Sequence, residues 1–188
     1  MVTARTHSVE ETRALAEDLG RTLLRPGDLV VLAGELGSGK TVFAQGVARG
    51  LGVTEPVVSP TFTIVREYEG RVPIAHVDIY RIDRLQELHD LGFDELLDDR
   101  VTLVEWGDAA GPLLPNEWLE VRLVPAGEDE RDIYLSPHGE SWQARRRRLD
   151  EVVAPFVPGG RSHTPADPGG HARTPGTPAR TGAPGQEN

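Results

Sequence analysis

Residues Gly34-Glu35-Leu36-Gly37-Ser38-Gly39-Lys40-Thr41 match every fixed position of the phosphate-binding loop pattern G-x-x-x-x-G-K-[ST]. No other feature narrows the fold as far, because such a loop works only between a buried strand and a helix N-terminus. Lys40 is also the only lysine among 20 basic Lys and Arg side chains. Arginine therefore serves everywhere that positive charge alone suffices. A compact ammonium on a flexible stem can thread a tight glycine loop, whereas a planar guanidinium fork cannot.

The flanks meet the requirement. Leu29-Val30-Val31-Leu32-Ala33 is a short apolar run suited to a buried parallel strand. After the loop, Val42, Phe43, Val47 and Leu51 recur at helical spacing, and Gly50 or Gly52 closes the helix. Gly34, Gly37 and Gly39 permit positive φ, and the N–H groups of Ser38, Gly39, Lys40 and Thr41 are expected to converge on phosphate. Lys40 would reach the terminal phosphates, and Thr41 offers a hydroxyl to Mg²⁺, a cation that prefers oxygen ligands. The loop thus predicts binding of a magnesium–nucleoside triphosphate.

The 188 residues have room for one ordinary α/β domain. The absence of cysteine excludes disulfides, thiolate catalysis and zinc–thiolate sites. No long apolar run or leader pattern is present, so a cytoplasmic protein without a membrane association is expected. Residues 158–188 hold no large apolar side chain and are rich in proline, glycine, serine and threonine, which predicts a disordered tail after a phosphate-loop domain over 1–157. Three arginines against Asp167 and Glu187 give that tail +1, so the preceding residues carry −11 of the total −10. Such an acidic body argues against gripping nucleic acid by charge. Arg145, Arg146, Arg147 and Arg148 form the one basic run, read as the solvated face of a C-terminal helix in preference to an RNA or partner contact.

Ser8 and Glu11 form a capping-box start, followed by the apolar stripe Thr12, Leu15, Ala16, Leu19 and Leu23. Strand-like stretches fall at 62–68, 72–80, 101–106, 118–124 and 132–135, and a short helix is expected between Asp83 and Gly92. The expected fold is α/β, with a mainly parallel mixed sheet flanked by helices and antiparallel strands near the C-terminus. Asp78 and Glu105 end apolar strands, where ligands of open α/β sheets bind. Glu105 would serve the metal, directly or through water, and Asp78 the metal's water shell or the attacking water. Either alone also reads as a turn acid. Ser59-Pro60-Thr61-Phe62-Thr63 reads equally as a γ-phosphate-sensing switch and as a plain loop. His76 and Trp106 read as packing residues, Trp106 near the nucleotide, and neither is assigned chemistry.

Taken in order, the phosphate loop, Ser59-Pro60-Thr61-Phe62-Thr63, His76-Val77-Asp78-Ile79-Tyr80-Arg81, Glu87-Leu88 with Leu91-Gly92, and Val104-Glu105-Trp106 resemble the motifs of the TsaE (YjeE) family over roughly residues 8–135. The resemblance implies a small P-loop ATPase that works with the TsaB and TsaD proteins. That assembly places a threonylcarbamoyl group on the adenosine beside the anticodon of tRNAs reading codons that start with A. It implies that the ATPase does not itself transfer the group or hold the tRNA, that its partners complete its activity, and that hydrolysis supports repeated turnover. Carried onto this chain, Leu36, Gly37, Ser38, Gly39, Lys40, Thr41 and Val42 hold the nucleotide, and Thr41 and Glu105 bind Mg²⁺. By the same resemblance Lys40, Asp78 and Glu105 are catalytic, Thr61 belongs to the switch-like segment, and Val9 and Arg131 lie near the nucleotide. With Lys40 the only lysine, no Asn-Lys-x-Asp guanine selector exists, which favours ATP over GTP.

Two other readings use the same loop. A small-molecule kinase needs an acceptor pocket and usually an arginine-rich lid, for which Arg145 to Arg148 are the only candidates. A nucleotide-dependent regulatory switch needs no hydrolysis, and tRNA modification in a reconstituted mixture separates it from the ATPase.

Overall fold

In the computed structural model, the described residues are 1–60, 63–79, 97–106 and 114–158. They build a seven-stranded sheet from β1 (Val2–Thr6), β2 (Leu29–Ala33), β3 (Val65–Tyr68), β4 (Ile74–Asp78), β5 (Val101–Glu105), β6 (Trp118–Pro125) and β7 (Arg131–His138). The helices among these residues are α1 (Val9–Thr22), α2 (Lys40–Gly50), α3 (Glu140–Ala144) and α4 (Arg146–Val153), the last followed by a 3₁₀ turn at Ala154–Phe156. The strand order is β1-β7-β6-β2-β5-β4-β3. The central pairs β6–β2, β2–β5 and β5–β4 are parallel, while β1–β7, β7–β6 and β4–β3 are antiparallel. Antiparallel pairs thus close both edges of the sheet as well as its C-terminal part.

Burial follows from these positions. β2, β4 and β5 are buried at every residue, as strands covered on both faces must be. β6 and β7 alternate buried and more accessible residues, the period of a strand with one wetter face. The larger core joins Val30, Leu32, Leu103 and Val121 of the sheet to Leu15 and Leu19 of α1, Phe43 and Val47 of α2, and Leu149 of α4. A smaller cluster on the opposite face contains Leu29, Val31, Val77, Ile79 and Val104.

α1 begins as its cap predicts, with Ser8 Oγ accepting from the Glu11 N–H at 3.1 Å. The returning bond differs from a capping box: Glu11 Oε2 accepts from the N–H of His7, at 2.7 Å, rather than from Ser8. The expected stripe Thr12, Leu15, Ala16, Leu19 and Leu23 is buried. α1 and α2 cross closely because their contact is lined with glycine. A Cβ at Gly46 would stand 2.3 Å from the Arg13 carbonyl oxygen, and one at Gly20 would stand 2.5 Å from that of Val47.

Several elements differ from the sequence reading. β1 is an additional strand, whose partner lies more than a hundred residues later in the chain. β3 starts at Val65 instead of 62, because Thr63 and Ile64 turn back onto the Pro60 carbonyl and Ile64 takes φ 66°. β4 spans only Ile74–Asp78, and β7 runs from Arg131 to His138. The expected helix between Asp83 and Gly92, together with most of the tail, lies outside the described residues.

The basic run is not one solvated face. Arg145 stands at the break between α3 and α4 and grips the buried Asp28 with two bonds of 2.7 and 2.8 Å, its guanidinium 3.9 Å above the Trp142 ring. Arg146 and Arg147 follow the expected pattern, pairing with Asp150 and Glu151 one turn on.

Candidate nucleotide and metal site

β2 carries the chain out of the sheet at Ala33, and the loop returns it as α2 at Lys40. Gly34 must be glycine on two counts. Its φ is 139°, and a Cβ there would lie 2.5 Å from the Leu123 carbonyl oxygen and 2.7 Å from Ser38 Oγ. The helix is capped by Gly39 in the left-handed region, with no side chain closing its end. Its first turn, Lys40, Thr41 and Val42, holds the N–H positions that an α-helix leaves without an intrahelical acceptor. The end therefore attracts anions. Ser38 departs from the expectation for its backbone, since its N–H donates within the loop to the Glu35 carbonyl at 3.1 Å.

The Lys40 ammonium is buried under the loop. It donates to the carbonyls of Gly34 at 2.8 Å and Glu35 at 3.0 Å, and lies 3.6 Å from the centroid of the Trp106 ring. Trp106 reaches this position with φ 63°, in the left-handed region that a bulky residue rarely enters. Strain of this kind costs on the order of 1–3 kcal/mol and clusters at functional sites.

Strand alternation sets the acidic side of the site. Ile74, His76 and Asp78 share one face of β4, and Leu103 and Glu105 share the same face of β5, because Ile74 and Leu103 both enter the α2-side core. The register places Asp78 opposite Glu105. Thr41, in the first turn of α2, donates its hydroxyl to Glu105 Oε1 at 3.0 Å, and His76 Nε2 lies 2.9 Å from that same oxygen. His76, Asp78 and Glu105 are all buried.

A cleft of about 380 Å³ opens here. The loop residues Leu36, Gly37, Gly39, Lys40, Thr41 and Val42 form one side, and Ser59, Glu105 and Trp106 face them. Leu36 is 89% exposed at the loop's tip, so its apolar side chain is available to a ligand or a partner. Trp106 also walls a neighbouring cleft of about 460 Å³ with Gly34, Glu35 and Arg122.

Arg131 approaches from the β6–β7 hairpin and braces the loop from outside. Its Nε donates to the Ser38 carbonyl at 2.8 Å, while Nη1 donates to the carbonyls of Glu130 and Glu128. Val9 opens α1, three residues after Thr6, which pairs with Arg131 in the β1–β7 ladder. On that ladder Arg5 and Asp132 make two 2.7 Å bonds, and the guanidinium holds the Asp132 carboxyl below its ordinary range. Thr61 lies outside the described residues; its neighbour Ser59 lines the cleft.

Two residues read from sequence as packing, His76 and Trp106, touch the site directly. For His76 a signal existed, since it precedes Asp78 by two and so shares its face of the strand. For Trp106 the signal was its place directly after Glu105, while its contact with Lys40 depends on the left-handed turn after β5.

The donor set suits magnesium. A hydroxyl and a carboxylate stand 3.0 Å apart, with a second carboxylate at the end of the adjacent strand. Mg²⁺ commonly takes one or two protein oxygens and completes its shell with phosphate and water. Among the described residues, no group of three or more His, Cys, Asp or Glu could hold an ion alone.

Comparison with known proteins agrees with this architecture. The family described as "Threonylcarbamoyl adenosine biosynthesis protein TsaE" matches residues 6–133. The tRNA threonylcarbamoyladenosine biosynthesis protein TsaE of Bacillus subtilis is 44% identical over 141 residues, covering 74% of this chain and 87% of that protein. The protein of the same name from Mycobacterium tuberculosis H37Rv is 43% identical over 149 residues, covering 74% and 88%. The crystal structure of Bacillus subtilis YdiB superposes with a TM-score of 0.69 at 38% identity, over 80% of this chain and 94% of that one. The chain belongs to the TsaE family of tRNA threonylcarbamoyladenosine biosynthesis.

Proposed function

We propose that this member of the TsaE family binds and hydrolyses Mg-ATP, and that it does so in a complex with TsaB and TsaD to sustain threonylcarbamoylation of tRNA. The observation that carries the reading is the meeting of Thr41, the residue after Lys40 in the loop, with Glu105 at 3.0 Å in the cleft that both line. Triphosphate would lie along the loop, with the first-turn N–H groups of α2 on its oxygens. Lys40 would exchange its two carbonyl acceptors for phosphate oxygens. Thr41 and Glu105 would hold Mg²⁺, which when bound neutralises charge developing on the phosphates. Asp78, opposite Glu105 in the strand register, would orient the attacking water. The substrate RNA would be held by the partners, in keeping with the strongly acidic body of this chain. We assign the ATPase domain to residues 1–157, with residues 158–188 as a tail outside it.

The test is Mg-ATP hydrolysis by the protein alone and again with TsaB, TsaD, threonylcarbamoyl-adenylate and tRNA, with modified adenosine scored in the same tubes. Hydrolysis should rise with the partners, and modified tRNA should accumulate over many turnovers. Lys40→Ala should lose nucleotide affinity, and Glu105→Ala should lose metal-dependent hydrolysis by about a hundredfold or more. Retained hydrolysis in both variants would refute the site. ATP consumption indifferent to the partners, with tRNA untouched, would refute the pathway role.

A further inference from the structure

We infer that His76 is a positioning residue for Glu105, holding the metal-side carboxylate in place through Nε2. The inference rests on the Mg-ATP reading above and adds to it a residue that touches neither metal nor nucleotide. His76 is fully buried in β4, one strand step below Asp78, and its Nε2 lies 2.9 Å from Glu105 Oε1. An ionised carboxylate oxygen can only accept, so Nε2 carries the hydrogen. Nδ1 is buried without a hydrogen-bond partner among the described residues, so the ring's hydrogen bonding there is through Nε2. The Nε2 donor of the imidazole is thus directed at Glu105.

Oε1 consequently takes two donors, from Thr41 Oγ1 and from His76 Nε2, which approach from different elements. A lone Thr41 contact would leave the glutamate free to rotate about its terminal torsion, which is broad. A second donor rooted in a fully buried central strand removes that freedom. The other carboxylate oxygen remains for the metal or a metal-bound water. Outer-shell donors of this kind typically govern metal affinity by about 10- to 100-fold.

The experiment measures Mn²⁺ binding to the protein–nucleotide complex by electron paramagnetic resonance, with a non-hydrolysable ATP analogue. Nucleotide affinity in EDTA and the thermal unfolding midpoint are measured alongside. His76→Leu keeps bulk and removes the donor; His76→Gln carries an amide N–H at the position of Nε2. The leucine variant should bind the nucleotide normally in EDTA but weaken Mn²⁺ about tenfold, and the glutamine variant should restore most of the loss. Should the leucine variant fail to fold, His76→Asn replaces it, since its shorter amide occupies the Nδ1 position and cannot reach Glu105. Wild-type Mn²⁺ affinity in the leucine or asparagine variant would overturn the inference, as would a glutamine variant equally impaired. If the wild-type protein binds no Mn²⁺–nucleotide at all, the Mg-ATP reading fails and this inference with it.

Discussion

At the scale of single residues, identity alone can mislead about environment, and the arginine run makes the point. Arg145, Arg146, Arg147 and Arg148 are indistinguishable in sequence. Yet Arg145 is 12% exposed and bound to an Asp28 that is 5% exposed, while the Arg147 side chain is 92% exposed. Removing Arg145 would leave Asp28 buried with one charged partner lost. Arg145→Ala is therefore expected to cost about 3 kcal/mol in urea unfolding, the scale of breaking a buried ion pair. Arg147→Ala should change stability by less than about 0.5 kcal/mol. Equal effects of the two substitutions would show that the Asp28 pair contributes nothing special. Lys40 is the opposite case. Its singularity in the sequence already marked it, and the contacts it makes, two carbonyls and a tryptophan face, suit an ammonium.

Between elements, packing decides what spacing cannot. The glycine-lined crossing of α1 and α2 couples the opening helix to the helix that begins at the phosphate loop. Gly46→Ala would gain about 1 kcal/mol of helix propensity. It would also force a Cβ to within 2.3 Å of the Arg13 carbonyl and 2.6 Å of Ala16 Cβ, overpacking that costs about 1–3 kcal/mol. A net loss of about 1 kcal/mol in unfolding free energy is expected, together with weaker nucleotide binding as the N-terminus of α2 shifts. A stabilised variant with unchanged affinity would show that the crossing relaxes freely.

The start of α3 depends on a distant side chain in the same way. Glu117 accepts from the N–H groups of Glu140 and Ser141 and from the Ser141 hydroxyl, whose 2.6 Å bond is the main reason its carboxyl is held below the ordinary value. A carboxyl lowered in the folded state contributes stability above its unfolded value, near 4.3, and loses it as pH falls through the lower folded value. Wild-type protein should therefore lose more stability between about pH 5 and pH 3 than Glu117→Gln, as read from urea midpoints across that window. Parallel pH profiles would remove Glu117 from the account.

For the whole molecule, the N-terminal strand and the phosphate loop are linked through the far edge of the sheet. Thr6 of β1 pairs with Arg131 of β7, and Arg131 holds the Ser38 carbonyl. Removing residues 2–6 would expose the β7 edge and free Asp132 from Arg5. It should weaken nucleotide binding by about 1 kcal/mol, roughly fivefold, measured by titration with a fluorescent ATP analogue. Unchanged affinity would mean that the hairpin holds Arg131 without β1.

The phosphate loop, the strand and helix around it, the capped opening helix and the two strand-ending acids are legible from residue order. Each of these is a local pattern, set by glycine conformations, apolar period or capping chemistry within a dozen residues. The family was also legible, because its motifs occur in order along the chain. The remaining features arise from folding in three dimensions. Folding brings Glu105 to Thr41 and His76, lays Trp106 against Lys40, ties Arg131 to the loop and sinks Arg145 onto Asp28. These contacts join residues from separate elements. Their geometry depends on strand order, register and two left-handed residues, Ile64 and Trp106, whose backbone conformation no local preference predicts.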